Sequence, residues 1–500
     1  MAHLLFLLFL SLGAVLWGAT LILGVNGTSF EQYLLLLGFF GLASAIFIFL
    51  RIRNNSIGIF YLPVFLTMLM FLRFGLVPIA CFLDPGSLSS DFAGHYRFLL
   101  RALAYVFIGM LAFWVGCSLV IRKAGTGKPL AALPSTAQVP AVRSTLAWAA
   151  AIYAVVFAIR LYLLHSHLYA YVGSWKAYYA NLGLLQVLAT ASSLGGVAAL
   201  ILVGIEKYFH PSDAAARLLF WVILALEVGW GLASGMKEFV LQPVVIVAVI
   251  SSLVQRKFPK GWVAVALLGL IAIYPLTNNY RRLALRRGGF ASASAVASAS
   301  LAALSETGRG RQGYSDWIQN GWQMTVHRLD LLTSFGLVLW MGSRAAHLQG
   351  KERWWMVPYY PFVPRFLWHS KPILDKGRRF SVATGSTSVS SLAITYPGDL
   401  YATGGLPGIL LGMFLLGTVA QTMANSIIGA LDKRRLFVYA ALFFTVTDME
   451  IDYFSFWTTL IKSFVMLSII ALVVYGPGRR AEQEVIASDW RDHACSDSCH

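Results

Sequence analysis

Residues 218–255 read LLFWVILALEVGWGLASGMKEFVLQPVVIVAVISSLVQ. Two apolar runs, near 217 to 234 and 238 to 255, meet at Gly235-Met236-Lys237 with space only for a tight hairpin. A helix needs about 20 mainly apolar residues to cross roughly 30 Å of hydrocarbon, so this stretch predicts two membrane helices joined end to end. Working outward from it, the same count finds twelve runs. They lie near 4 to 24, 32 to 50, 57 to 83, 99 to 121, 145 to 165, 184 to 204, 217 to 234, 238 to 255, 261 to 279, 405 to 430, 435 to 448 and 457 to 475. The eleventh is the weakest, because it is short and runs into Asp448, Glu450 and Asp452; a re-entrant segment is the alternative there.

Composition agrees. Only 12% of the 500 residues are charged and 58% are hydrophobic, against roughly 25% charged in soluble domains, which excludes a soluble globular chain. Aromatic residues at 14% exclude disorder. Four cysteines, with Cys81 and Cys117 inside apolar runs, exclude a disulfide scaffold. The expected fold class is all-α: a polytopic membrane protein of about twelve transmembrane helices with one large extracytoplasmic loop. Residues 1–275 carry helices 1–9, 276–404 the loop, 405–475 helices 10–12, and 476–500 a cytoplasmic tail.

Lys and Arg favour cytoplasmic loops. With the N-terminus inside, the inner loops contain Arg51 and Arg53; Arg122, Lys123 and Lys128; Lys207; Arg256, Lys257 and Lys260; Lys433, Arg434 and Arg435; and Arg479 and Arg480. Every inner loop is then basic and both termini are cytoplasmic. Residues 276–404 fall outside despite twelve Arg and three Lys against six acids, a net +9 out of the chain's +17. Long loops translocate regardless of charge, yet such a surplus of cations needs a reason. Guanidinium groups bind phosphate bidentately and stay charged, so the surplus indicates either an anionic ligand or contact with anionic lipid.

Within this segment, Tyr280 to Arg287 reads as a basic helical extension of the ninth span, and Tyr314 to Gly342 as an amphipathic helix suited to the headgroup plane. Trp354 to Trp368 mixes aromatics with three prolines, which excludes a regular helix or a central strand and suits an aromatic belt. Inside the spans, Arg73 and Glu227 are the deepest charges and form a possible pair, while Arg101 and Arg160 are expected to snorkel. His165 to Tyr179 reads as a sugar-stacking surface or an aromatic belt. The tail His493-x-Cys495-x3-Cys499-His500 matches no zinc-ligand spacing, no nucleotide-binding loop is present, and charge on the outer face disfavours nucleic acid.

Three elements carry a resemblance: Pro364-Arg365-Phe366-Leu367-Trp368-His369-Ser370-Lys371-Pro372, then Gly398-x2-Tyr401-x2-Gly404-Gly405-x2-Gly408 leading into a span, and Gly235-Met236-Lys237. With many helices around one large outer loop, the chain resembles the oligosaccharide repeat-unit polymerases, the O-antigen polymerase (Wzy-type) family. The resemblance implies a glycosyltransferase on the outer face of the bacterial inner membrane. It would move a growing glycan from one polyprenyl diphosphate carrier onto another carrier-linked repeat unit, without metal or cofactor. Implied partners are lipid-linked oligosaccharides, membrane lipids and a chain-length regulator. The same layout leaves open a lipid-linked glycan ligase, or a flippase for lipid-linked sugars.

A diphosphate leaving group gathers charge as the glycosidic bond breaks, which fixed cations stabilise. Lys237, Arg281, Arg282, Arg365, Lys371, Arg378 and Arg379 are the candidates for that task. The attacking hydroxyl needs a general base. Asp399, Glu238 and His327 are proposed for it, with Asp330 and His369 as further outer-face groups. Asp399 is favoured, set against a purely structural role as a helix cap.

The topology makes the first prediction. Reporter fusions at residue 125 and residue 310 are expected to lie on opposite sides of the membrane, 125 in the cytoplasm; both on one side would show the span count to be wrong.

Overall fold

The computed structural model describes residues 28–54, 58–79, 96–120, 141–166, 168–169, 182–255, 257–287, 298–299, 302, 322–323, 325–326, 328–363, 365, 367–385, 392–427 and 432–476. These residues are all-helical, with no strand among them. In chain order the helices are α1 (Thr28–Asn54), α2 (Leu62–Phe71), α3 (Tyr96–Leu119), α4 (Ala141–His165), α5 (Leu182–Phe209), α6 (Ala214–Ser234) and α7 (Lys237–Gln255). They continue as α8 (Lys260–Arg287), α9 (Leu332–Met341), α10 (Lys376–Ala383), α11 (Tyr396–Ile427), α12 (Lys433–Thr447) and α13 (Tyr453–Tyr475). Among the described residues nine helices are long and apolar enough to cross a membrane, namely α1, α2 together with its continuation through a π-helical turn (Leu72–Leu76) to Ile79, α3 to α7, α11 and α13. In a bilayer every backbone N–H and C=O must be satisfied within the chain, which is why spans are helical.

Eleven of the twelve expected runs fall on helices; the first, 4 to 24, lies outside the described residues. α8 is apolar over Lys260–Leu270 and then carries the basic extension through Arg281. α12 has 15 residues, which at 1.5 Å each is ~22 Å, short of the ~30 Å of a bilayer core. The amphipathic stretch before Gly342 behaves differently from expectation. α9 has no exposed residue: Phe335 and Val338 are completely covered, and the helix packs on α3 and α11. Its apolar face is wide enough to be taken into the core.

The most intimate crossing joins α3 to α11. A Cβ on Gly116 would come within 2.2 Å of the Phe414 carbonyl oxygen, and one on Gly417 within 2.1 Å of that of Phe113. Lipid offers no hydrophobic drive between helices, so backbones approach through small residues instead. At one end of the bundle, Tyr439 Oη donates to Phe60 O at 2.7 Å, Gln421 Nε2 donates to Tyr61 Oη at 2.6 Å, and Lys433 pairs with Glu206 at 2.9 Å. The other end, where α6 meets α7 and α12 meets α13, holds most of the remaining ionisable groups.

Gly417→Ala is expected to destabilise the protein by about 1–3 kcal/mol through overpacking, read as a lowered melting temperature in detergent. Gly38→Ala, whose Cβ would meet nothing within 4 Å, is expected to melt as the wild type does.

Candidate functional site: a recessed cluster of acids and cations

α6 stops at Gly235, whose φ of 67° is left-handed, and α7 starts two residues later. Glycine takes that conformation without Cβ strain. The tight reversal puts Lys237 and Glu238 on the first turn of α7, where an acid also suits the helix dipole. Arg281 from α8 locks the reversal by donating Nε to Gly235 O at 2.7 Å, and Tyr280 Oη donates to Ala233 O at 2.9 Å.

Facing this reversal is the loop Asp448 to Asp452. The shortness of α12 draws it inward. Glu450 accepts from Arg73 Nη2 at 2.6 Å and from Arg328 Nη2. Arg73 stands on a π-helical turn, Leu72–Leu76, whose altered register turns its carbonyl to Leu331 N at 3.3 Å. Its guanidinium also donates to Leu329 O at 3.2 Å and Arg328 O at 3.1 Å. The Glu450 carboxylate is therefore committed to holding two arginines.

Glu238 is not committed. It is exposed to solvent yet surrounded by protein, as is a group on the wall of a deep recess. Asp448 and Glu450 face it within Coulombic range, together with Arg328, and no described residue donates a hydrogen bond to its carboxylate. Lys237 lies within range of Arg281, Arg328 and Glu450. Burial, followed by the negative charge of Glu450, pushes the Asp448 carboxyl up to about 6. The Glu450 N–H at 3.2 Å and the charges of Arg73 and Arg328 act in the opposite sense. The recess thus gathers three carboxylates and four cations from the π turn after α2, from α7 and α8, from the segment before α9 and from the α12–α13 loop.

The remaining sequence-derived candidates occupy other places. Asp399 is wholly buried. Its Oδ1 accepts from Lys376 at 2.8 Å and Gln349 Nε2 at 3.3 Å, and its Oδ2 accepts from Tyr453 N at 2.9 Å. It caps the start of α13 rather than its own helix, and holds α10 to α11. Between it and the recess stands Tyr396, fully buried and within range of Asp448 and Asp452, its hydroxyl unpaired among the described residues. The Asp330 carboxylate closes the first turn of α9 by accepting from Thr333 N at 3.1 Å and Oγ1 at 2.5 Å. His369 is exposed. His327 and the side chain of Arg282 lie outside the described residues, as does the tail with Cys495 and Cys499.

Arg378 and Arg379 line a cleft of about 440 Å³ with Arg344, His347 and Asp375, and Arg379 is paired with Glu352 and Asp375. Arg365 and Lys371 belong to the aromatic loop on α13, described below. Of the seven expected phosphate cations, Lys237 and Arg281 are seen in the recess. The charges within the spans pair differently from expectation. Arg160 does not snorkel: it is buried and holds Glu227 at 2.5 Å, with Nη2 donating to Ser192 O at 3.2 Å. Arg73 holds Glu450, not Glu227. Arg101 is exposed, and its Nε donates to Tyr105 Oη at 2.9 Å. Asp448, Glu450 and Arg328 were not singled out from sequence. The available signal was three acids within five residues at the end of the shortest apolar run.

These features define a helical membrane protein of many spans with a recess of acids and cations at one end. Residues 155–476 match the model of a family described as Domain of unknown function (DUF8712). That is more than half of the chain, and the protein belongs to this family. The match takes in every recess residue except Arg73. Neither a curated protein nor a solved structure matches the chain.

The raised Asp448 carboxyl has a consequence for stability. Unfolded, it titrates near ~3.9; between there and about 6 the folded protein binds the extra proton, so stability falls as pH rises through that window. Asp448→Asn has no proton to lose. Its melting temperature is expected to fall less than that of the wild type between pH 4.5 and pH 6.5.

Proposed function

We propose that the protein is a membrane glycosyltransferase that polymerises polyprenyl-diphosphate-linked oligosaccharide repeat units into a surface polysaccharide or exopolysaccharide. In this reading the recess faces the outside of the bacterial inner membrane and both termini are cytoplasmic. One observation supports it above the others: Glu238, a carboxylate with no hydrogen-bond donor among the described residues, open to a recess and facing a second acid amid four cations.

Each part of the transfer has a group suited to it. The acceptor hydroxyl oxygen attacks the anomeric carbon of the donor glycan while its proton passes to Glu238. The bond from that carbon to the diphosphate oxygen breaks, and the electron pair leaves with the diphosphate. In this reading Lys237 and Arg281 stabilise the charge that develops there, and Arg73 and Arg328, held in place by Glu450, add to the positive field of the recess. Asp399, with both oxygens engaged, serves in this reading as a positioning residue.

Glu238→Gln is expected to abolish long-chain glycan in cells, a loss on the order of a hundredfold or more for a missing general base, with normal protein abundance in the membrane. Arg281→Ala is expected to lower it and Arg281→Lys to restore part. Normal polymer from Glu238→Gln would refute the reading. Polymer that persists on its carrier but fails to reach a final acceptor would instead identify a ligase.

A further inference from the structure

Among the described residues the cations of the aromatic loop have no counter-ion. Residues 354–374 fold back along α13: Val357, Tyr360 and Phe454 form a buried cluster edged by Trp368, Trp457 and Ile461. Phe454, Trp457 and Ile461 follow one another by about a turn, so the loop descends two turns beside α13. At that depth Lys462 projects from α13, nine residues past its start, or ~14 Å along the axis.

Three cations stand there, with Lys371 in Coulombic range of both Arg365 and Lys462. Lys371 is covered from solvent; its Nζ donates to Val363 O at 2.9 Å and lies 4.3 Å from the Tyr360 ring centre. Arg365 donates Nη2 to Pro372 O at 2.9 Å, and its buried Nε has no partner. Among the described residues Lys462 donates to Thr190 Oγ1 on α5, at 3.3 Å. Among the described residues no carboxylate pairs with any of the three, whereas Arg73, Arg160 and Lys376, each covered as Lys371 is, all hold one. Burial, then the charges of Arg365 and Lys462, push the Lys371 ammonium down to about 8. Ionisable groups at membrane depth are rare and mark substrate and ion paths, and these three lack a carboxylate partner among the described residues.

We propose that Arg365, Lys371 and Lys462 form a phosphate site on the flank of α13 that holds the head of a membrane amphiphile. An anion there removes the mutual repulsion and satisfies the idle Arg365 Nε donor. The apolar tail has a track. Val465, Met466 and Ile469 follow Lys462 at helical spacing on the same face of α13, and all three are exposed. The phosphate is that of a bilayer phospholipid or that of a polyprenyl carrier; the second source rests on the transferase reading, the first does not.

The test uses the full-length protein in neutral detergent and native mass spectrometry with three probes: dioleoylphosphatidylglycerol, polyprenyl diphosphate and dioleoylglycerol, which lacks phosphate. Wild type is expected to bind at least one phosphate probe about tenfold or more tightly than Lys462→Gln does, as for a lost charge-assisted contact, with no such difference for dioleoylglycerol. A difference confined to phosphatidylglycerol assigns a structural lipid, and one for polyprenyl diphosphate assigns the carrier; both support the phosphate site. Lys462→Arg keeps the charge and is expected to bind. Equal binding by wild type and Lys462→Gln would overturn the proposal, as would loss in both Gln and Arg variants, the mark of a packing defect. The readout involves no turnover, so its failure leaves the transferase reading standing, and inactivity of the enzyme leaves this one.

Discussion

The recess depends on one carboxylate. Glu450 carries both Arg73 and Arg328, and through Arg73 it fixes the backbone at Arg328 and Leu329. Three distant segments, the π turn after α2, the lead into α9 and the α12–α13 loop, meet on this single acid. Removing one partner of such a pair leaves a charge uncompensated in a low-dielectric interior, at a cost of about 3–5 kcal/mol. The clamp commits the charge of Glu450 to architecture and, among the described residues, leaves Glu238 and Asp448 beside it without guanidinium partners of their own.

A second principle separates the other cations. Where a buried or half-buried cation has its own carboxylate, it acts as a fastener: Arg160 with Glu227 ties α4 to α6, Lys376 with Asp399 ties α10 to α11, and the half-buried Lys433 with Glu206 ties α12 to α5. Gly196 shows how tightly the first is enclosed, since a Cβ there would come within 2.6 Å of Arg160 Nη2 and 2.8 Å of Glu227 Oε1. Among the described residues no carboxylate pairs with Lys371 or Lys462, and that contrast is the ground for the proposed phosphate site. Counting arginines in the large loop therefore says less about function than finding which of them lack an acid.

Much of the fold was legible in the chain. Runs of apolar residues near span length, the hairpin at Gly235 and the basic continuation of α8 follow from hydropathy and local geometry, and the helices occur where those features place them. The site was legible only in part. Lys237, Glu238 and Arg281 could be chosen because they flank span ends, but Asp399, an equally reasonable choice by that logic, turns inward to Lys376 and the start of α13. Arg160 was misjudged for the same reason: a charge near a helix end reads as snorkelling until the helix that carries its acid is known.

The sequence by itself determined that the chain is a many-span helical protein, because span length and hydropathy are properties of about twenty consecutive residues and need no partner. Tertiary structure alone decided which charges stand together. Arg73 and Glu450 are 377 residues apart in sequence, and whether a carboxylate is a fastener or a free base depends on which donors other helices bring to it. No local pattern encodes that pairing, since the energy of a buried charge is set by everything within a few ångströms of it in space.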